Sequence, residues 1–414
     1  MNDSLQQIDV VTICRLCEST NLNHLLSLGS TPLANDFRPI SSRKEVYTSF
    51  PLELLRCQSC GHVQLEHIIS PDLLFRNYSY VSGTSKSFVK HFEEYFFWIK
   101  ERIALSPKSL VIEIGSNDGT LLNFFSANGF RCIGVDPAAN IVATLKDRGF
   151  ETVCDFFNQK SVDEITSNHG RASLVVANNV LAHIKDLIGT IKSARSALLE
   201  DGFIVFEVSY LLDVIDKTLF DTIYHEHLDY HCVTSLIPFL GNHGFRIVEV
   251  LHVPSHGGSI RVLAQLASGS HPIDESVELF KEKERSFGLD TNDVFLEFAT
   301  RLRGLADANK QYLTNIRQKG STIVGFGAPA KMTTLVHYFD LTENIFEYIV
   351  DDSHLKQNTI APGGFTQVLP TAEIYNSRPD YLYVLAWNFS ETIIQAHPQW
   401  TDKFIIPVPN LRVQ

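Results

Sequence analysis

Residues 224–231 read Tyr-His-Glu-His-Leu-Asp-Tyr-His, which places three histidines, two acids and two tyrosines within eight positions. Two chemistries are compatible with such a set. Imidazole titrates near neutral pH, so one histidine can act as a general base, with Glu226 or a tyrosine orienting it. Alternatively His225, His227 and His231 ligate a metal, although only His227 and His231, at i and i+4, would share a helix face. The bland reading is a polar, hydrogen-bonded loop without chemistry. A second polar group, His256-Gly-Gly-Ser259 with Arg261, follows at the turn between two apolar runs. Both groups fall in loops or at strand ends, where function concentrates.

Cysteines form a third set. Cys14-Arg-Leu-Cys17 and Cys57-Gln-Ser-Cys60 are two C-x-x-C turns, the second followed by Gly61. Such turns bring four thiolates onto one tetrahedral Zn²⁺, and four thiolates leave no open position, so the role is structural. A redox pair needs only one C-x-x-C and leaves the second unexplained. With seven cysteines and no secretory leader, a disulfide framework is not expected. Residues 1–75 are too few for a large core of their own, which suits a metal staple.

The elements that must position these groups follow from apolar patterning. Strands are expected at Ser109–Ile114, Arg131–Val135, Glu151–Cys154, Ala172–Ala177 and Gly202–Val208, with helical stretches between them. Such alternation implies a parallel sheet with right-handed crossovers. Phe245–Val253 and Ser259–Leu266 are joined too closely for a crossover and read as a hairpin that adds an antiparallel strand.

The first strand runs into Glu113-Ile-Gly-Ser-Asn-Asp-Gly119, and the second ends in Asp136. A glycine-rich turn at the carboxyl end of the first strand is where an open α/β sheet binds a nucleotide, and an acid about twenty residues later accepts ribose hydroxyls. A dinucleotide-binding turn would face pyrophosphate, which Glu113 and Asp118 would repel. The same carboxylates suit the ammonium and sulfonium of S-adenosylmethionine. Glu113, Gly115, Asn117, Asp118, Gly119 and Asp136 are therefore the expected cofactor contacts. Asp155 and Phe156 are added for the adenine, though Phe156 is equally well explained as core, and Asn178 closes the fourth strand at the same rim.

Residues 271–315 are polar with helical periodicity and read as a connection between two lobes. Ser321–Val324 then enters Gly325-Phe-Gly327, Lys331 follows, Ile345–Val350 ends in Asp351-Asp352, and Tyr381–Leu385 is a further strand. This repeats the strand, glycine turn, helix, strand, acid plan. Gly325, Gly327 and Lys331 are suited to a diphosphate; a degenerate duplicate serving as scaffold is the alternative. The expected organisation is a zinc-binding segment at 1–75, an α/β cofactor domain at 76–270, helices at 271–315 and a second Rossmann-like unit at 316–414.

Composition is that of an ordinary globular chain of 414 residues, and the net charge of −12 argues against a nucleic-acid partner. Without a leader or an apolar run of about 18 residues, a cytoplasmic protein with no membrane span is expected. No obligate protein partner is evident.

Taken together, the paired C-x-x-C, Asn77-Tyr-Ser-Tyr80, Glu113-Ile-Gly-Ser-Asn-Asp-Gly119, Tyr224-His-Glu-His227, His256-Gly-Gly-Ser259 and Gly325-Phe-Gly-Ala-Pro-Ala-Lys331 give a chain that resembles the sugar C-methyltransferases of deoxysugar biosynthesis. The resemblance covers nearly the whole chain. It implies a class I methyltransferase domain flanked by a zinc-binding domain and a C-terminal Rossmann-like domain. The implied substrate is a nucleotide-linked 4-keto-6-deoxy sugar, methylated beside the keto group at C3. It also implies that His227 removes the carbon-bound proton. Tyr224 and Glu226 would support the base or the developing enolate, and Tyr78 and His183 would line the same pocket. His256, Gly257, Gly258, Ser259 and Arg261, with Gly325, Gly327 and Lys331, would face the substrate between the lobes. O- or N-methylation of another metabolite, or a zinc-containing binding protein without activity, are the competing readings.

Overall fold

A computed structural model of the chain describes residues 8–42, 45–75, 83 and 86–414. At its centre lie seven strands: β1 (Leu110–Ile114), β2 (Arg131–Val135), β3 (Glu151–Val153), β4 (Ala172–Asn178), β5 (Leu198–Ser209), β6 (Phe245–Val253) and β7 (Ser259–Leu266). Their order in the sheet is β6-β7-β5-β4-β1-β2-β3. β1 to β5 pair in parallel and β7 runs antiparallel to both β5 and β6.

Every residue of β1 is buried, as a strand covered on both faces requires. Side chains alternate between two cores. Val111, Leu174, Val176, Val205 and Leu263 face the helix Lys86–Arg102, whose Phe92, Tyr95, Phe96 and Ile99 form one apolar stripe at helical spacing. Leu110, Ile112, Ile114, Val175, Ala177, Ile204 and Phe206 face the opposite side. Strand order reverses between β1 and β4, and the crevice beyond their carboxyl ends is the binding position of an open α/β sheet.

Two further sheets flank this one, and Ile8–Val10 pairs with His67–Ile69 in a small two-stranded sheet besides. The C-terminal sheet holds a parallel core of Phe404–Ile406, Tyr381–Val384, Ile323–Phe326, Ile349–Asp351 and Gln367–Pro370. Three of these strands are legible in the sequence; Gln367–Pro370 and Phe404–Ile406 are not. Its far edge is Arg38–Pro39, contributed by the N-terminal segment. The four-stranded N-terminal sheet has the order Asp229–Tyr230, Val63–Leu65, Ser49–Cys57, Leu22–Pro32. Its outer strand thus comes from the histidine-rich segment, and the zinc-binding segment is knitted into both of its neighbours. The helices Ser276–Phe287 and Asp293–Gln318 connect the halves. Among the described residues no helix is long and apolar enough to cross a membrane.

Candidate active site

One large cavity of about 2150 Å³ opens beyond the carboxyl ends of β1 and β4 and reaches across to the C-terminal sheet. Its floor begins at the turn after β1. Gly115 has φ 65°, and a Cβ there would lie 2.7 Å from Val180, so only glycine brings the chain this close to the crevice. Glu113, Gly115, Asn117, Asp118, Asp136, Phe156 and Asn178 all line the cavity. Asp136 accepts the Asn117 N–H at 3.0 Å and the Ala138 N–H at 2.9 Å. Burial raises the Glu113 carboxyl well above its usual range, with Asp118 and Asp136 adding to the effect. Burial also raises Asp136, against the pull of its two N–H donors. Three carboxyl groups crowded at one turn favour a cationic ligand. Glu113 Oε2 and Asn178 Nδ2 are buried without a hydrogen-bond partner in the protein, as expected of groups that meet a ligand.

Two of the expected cofactor contacts do not reach the cavity wall. Gly119 sits behind the turn, capping the helix Thr120–Ala127. The Asp155 carboxylate folds back onto the Phe156 N–H at 2.8 Å and lies 3.7 Å from Lys160.

The histidine-rich segment forms the opposite wall, and it is not a helix. The His227 N–H bonds the Tyr224 carbonyl in a turn, and Asp229–Tyr230 is strand. The three histidines therefore diverge. His225 Nε2 is 3.2 Å from the carbonyls of Phe50 and Pro51, and His231 packs beside His62. Their divergence rules out the three-histidine metal site. His227 alone faces the cavity, with Tyr224 and His183 beside it. Its Nδ1 lies 2.7 Å from the Thr222 carbonyl, which can only accept. Nδ1 thus carries the hydrogen, and Nε2 holds a lone pair, 3.0 Å from the Tyr224 hydroxyl. The His183 and His227 rings meet edge to face at 4.7 Å. Burial, then His183, holds His227 well below its ordinary pKa, and burial pushes His183 down to about 4. Both rings are neutral at pH 7. Glu226 does not orient His227: its Oε1 accepts from Asn35 Nδ2 at 2.7 Å, and the Thr222 carbonyl takes the orienting role. Tyr78, with the rest of Asn77-Tyr-Ser-Tyr80, lies outside the described residues.

Of the hairpin group only His256 lines the cavity, with a φ of 55°. Gly257, Gly258 and Ser259 shape the turn behind it. Arg261 is withdrawn into the sheet. Its Nε and Nη2 donate to Glu207 at 3.1 and 2.9 Å, and its guanidinium lies 4.1 Å from the Tyr95 ring. Glu207 also accepts from Ser255 at 2.6 Å and sits 2.8 Å from His91, and both of these line the cavity. Arg261 is thus a buried counter-ion, not a substrate contact. Arg261→Met should lower stability by about 3–5 kcal/mol, the usual penalty for stranding a buried charge. Denaturant titration checks this, and substrate KM in the surviving folded enzyme should be unchanged.

From the C-terminal sheet, Lys331, Lys356, Asp352 and Asn388 line the cavity. Gly325 and Gly327 do not. Gly327, at φ 89°, lets the turn pass Ala386, where a Cβ would clash at 2.4 Å. Asp351 accepts the Ala328 N–H at 2.6 Å, repeating the relation of Asp136 to Asn117. Lys331 lies 5.2 Å above the Trp387 ring, and Trp387 Nε1 donates to Asp221 at 2.6 Å. Thr334 donates to the Ile223 carbonyl at 2.7 Å, docking this unit onto the loop that holds His227. Asn35, His91, Ser255, Lys356 and Asn388 escaped the sequence reading. None belongs to a motif; each arrives from a different element.

The cysteine ligand atoms of Cys14, Cys17, Cys57 and Cys60 all lie within 4.8 Å of one another. Cys14 to Cys60 and Cys17 to Cys57 are each 3.6 Å apart. Zn–S bonds of about 2.3 Å place tetrahedral sulfurs about 3.8 Å apart, so the four thiolates fit Zn²⁺.

Comparison with known proteins agrees with this geometry. A family model described as methyltransferase domain matches residues 89–250, one described as C-methyltransferase C-terminal domain matches 254–409, and a zinc binding domain model matches 14–75. An S-adenosylmethionine-dependent methyltransferase of Listeria monocytogenes is 13% identical, covers 41% of this chain and 97% of its own, and has a TM-score of 0.34. Magnesium protoporphyrin IX methyltransferase of Synechocystis PCC 6803, with bound S-adenosylmethionine, is 14% identical over 43% of this chain and 79% of its own, with a TM-score of 0.33. The fold and site define an S-adenosylmethionine-dependent methyltransferase of class I, carrying a structural zinc site. C-methyltransferase NovU of Streptomyces niveus is 34% identical over 416 residues, spanning 100% of this chain and 98% of its own. The chain belongs to this family of C-methyltransferases.

Asp136→Ala should weaken S-adenosylhomocysteine binding by roughly 10- to 100-fold, the equivalent of about 1.5–3 kcal/mol for hydrogen bonds to a charged group. Calorimetry with the folded variant measures it, and Asp136→Asn, which keeps one acceptor, should fall between.

Proposed function

We propose that this chain methylates the carbon beside the keto group, at C3, of a nucleotide-linked 4-keto-6-deoxy sugar. The observation that carries this reading is His227: a neutral imidazole in the cavity wall whose Nε2 lone pair is met only by the Tyr224 hydroxyl, in a cavity lined both by the turn after β1 and by Lys331 and Lys356 of the C-terminal unit. Removing a carbon-bound proton needs a base placed against a C–H, which O- or N-methylation does not require. The volume supports two ligands. Sites for one small molecule run to about 1,000 Å³, and this cavity is about 2150 Å³.

The bound cofactor supplies an electrophilic methyl group on sulfur. Glu113, Asp118 and Asp136 hold its cationic and ribose portions at the first turn. The sugar nucleotide occupies the opposite half, where Lys331 and Lys356 meet its negative charge. His227 Nε2 takes the proton at the carbon next to the ketone. The Tyr224 hydroxyl, released from that nitrogen, and His183 donate to the ketone oxygen as charge develops there. A weakly basic, buried histidine suffices because imidazolium and enolate form together. Their attraction at about 4 Å and an effective dielectric near 20 amounts to about 4 kcal/mol. Holding both reactants in one cavity does the rest.

Incubation with cofactor and dTDP-, GDP- and CDP-linked 4-keto-6-deoxy sugars, read by mass, should show the gain of one methyl on one of them. Without methyl transfer, the same sugar in deuterium oxide should exchange hydrogen at the reacting carbon. Methylation without such exchange would point to O- or N-methylation and sink the proposal.

A further inference from the structure

Arg15 stands between two zinc ligands, Cys14 and Cys17, yet its side chain points away from the sulfurs. Its Nε and Nη2 donate to the two carboxylate oxygens of Asp229 at 2.9 and 3.0 Å. Nη1 donates to the Lys185 carbonyl at 2.9 Å, and Nη2 also donates to the Ile184 carbonyl. The pair is buried, with the arginine side chain 7% and the aspartate 0% exposed. His62, two residues beyond Cys60, reaches the same Asp229 at 2.8 Å. Asp229 lies two residues after His227, and Ile184 and Lys185 directly follow His183. The two segments are joined again where the Leu228 N–H meets the Ala182 carbonyl at 2.7 Å, and the zinc-binding segment is tied to the second of them where the Leu65 N–H meets the Leu228 carbonyl at 2.9 Å.

We infer that Arg15 is a positioning residue for the reaction: its guanidinium clamps the two backbone segments that hold His183 and His227 at their 4.7 Å contact. The inference rests on the reading of His227 as the base. A bidentate fork is fixed in direction as well as distance, which a lysine cannot reproduce. Each zinc turn contributes one hydrogen-bond partner to Asp229, through Arg15 and the nearby His62. The metal-bound knuckle is therefore the rigid mount from which the histidine pair is held, and not only a staple at the edge of the molecule. Misplacement of a catalytic group by about 1 Å lowers rate by about 10²-fold, so the clamp has a measurable consequence.

The test uses full-length, zinc-loaded protein labelled with ¹⁵N-histidine, with His183→Asn and His227→Asn assigning the two ring signals. In Arg15→Ala both signals should shift or broaden while His271, packed on Phe203, stays put. Zinc content and S-adenosylhomocysteine affinity should remain as in the parent. Guanidinium ions at low millimolar concentration should return the signals toward their original positions, and sodium chloride at equal ionic strength should not. Signals that keep their parent positions, or that move no more than the His271 signal, overturn the inference. If Arg15→Ala does not fold, Arg15→Lys, which keeps the charge and loses the fork, should be folded with the same two signals displaced; unmoved signals there overturn it equally. With a methyl acceptor in hand, kcat should fall about 10²-fold with KM little changed. The spectra need no sugar, so failure to find a sugar substrate and failure of the clamp give different results.

Discussion

Asparagine in place of His227 should lower kcat by about 10²- to 10⁴-fold, the range over which a positioned general base contributes. Asparagine keeps a polar side chain of similar shape that can still donate to the Thr222 carbonyl, so the loop should hold its course. Cofactor binding, which depends on the turn after β1, should not change. The pH dependence separates this histidine from an ordinary one. The base works as neutral imidazole, and burial holds its pKa well below 6.5. As pH falls through 6.5, where free histidine protonates, the wild-type rate should therefore stay level and decline only at lower pH. A rate profile with a limb near 6.5, or a His227→Asn enzyme with undiminished turnover, would remove His227 from the reaction.

The second large effect is on stability. Cys57→Ser removes one of four thiolates, and structural Zn²⁺ contributes about 10–16 kcal/mol of apparent binding energy in small zinc peptides, as much as an entire domain's stability. The variant should lose its zinc, measured by metal analysis. Its thermal midpoint should fall by about 10 °C or more, since about 2–4 °C accompany each kcal/mol in a domain of ordinary size. The loss should not stay local. Cys57 ends the long strand Ser49–Cys57, and the next strand, Val63–Leu65, pairs with Asp229–Tyr230 of the histidine-bearing segment. Turnover should consequently fall with the metal, not after it. A metal-free variant with parental stability would show that the knuckle contributes nothing to the fold.

The sequence by itself determined a good deal. Two C-x-x-C turns specify a tetrahedral sulfur site because four thiolates leave a metal little other choice. The run Leu110–Ile114, apolar except for Glu113 near its carboxyl end, followed by Gly115, specifies a central parallel strand and its crevice, because a strand buried on both faces is mostly apolar. Carboxylates at Glu113, Asp118 and Asp136 specify a cationic ligand through charge alone. These properties follow from residue type and spacing along the chain.

What only the tertiary structure decided is which side chains meet. Arg261 reads like a substrate contact, yet Glu207, more than fifty residues earlier, captures it from the neighbouring strand. Glu226 sits one residue from His227, yet it turns to Asn35, and a backbone carbonyl fixes the tautomer instead. Gly325 and Gly327 form a glycine turn that is real but lies behind the wall. Motif spacing reports where the chain bends and not where a side chain points. That direction is set by partners brought together from distant parts of the chain, and most polar groups here are claimed by whichever partner lets them be buried without an unsatisfied hydrogen bond.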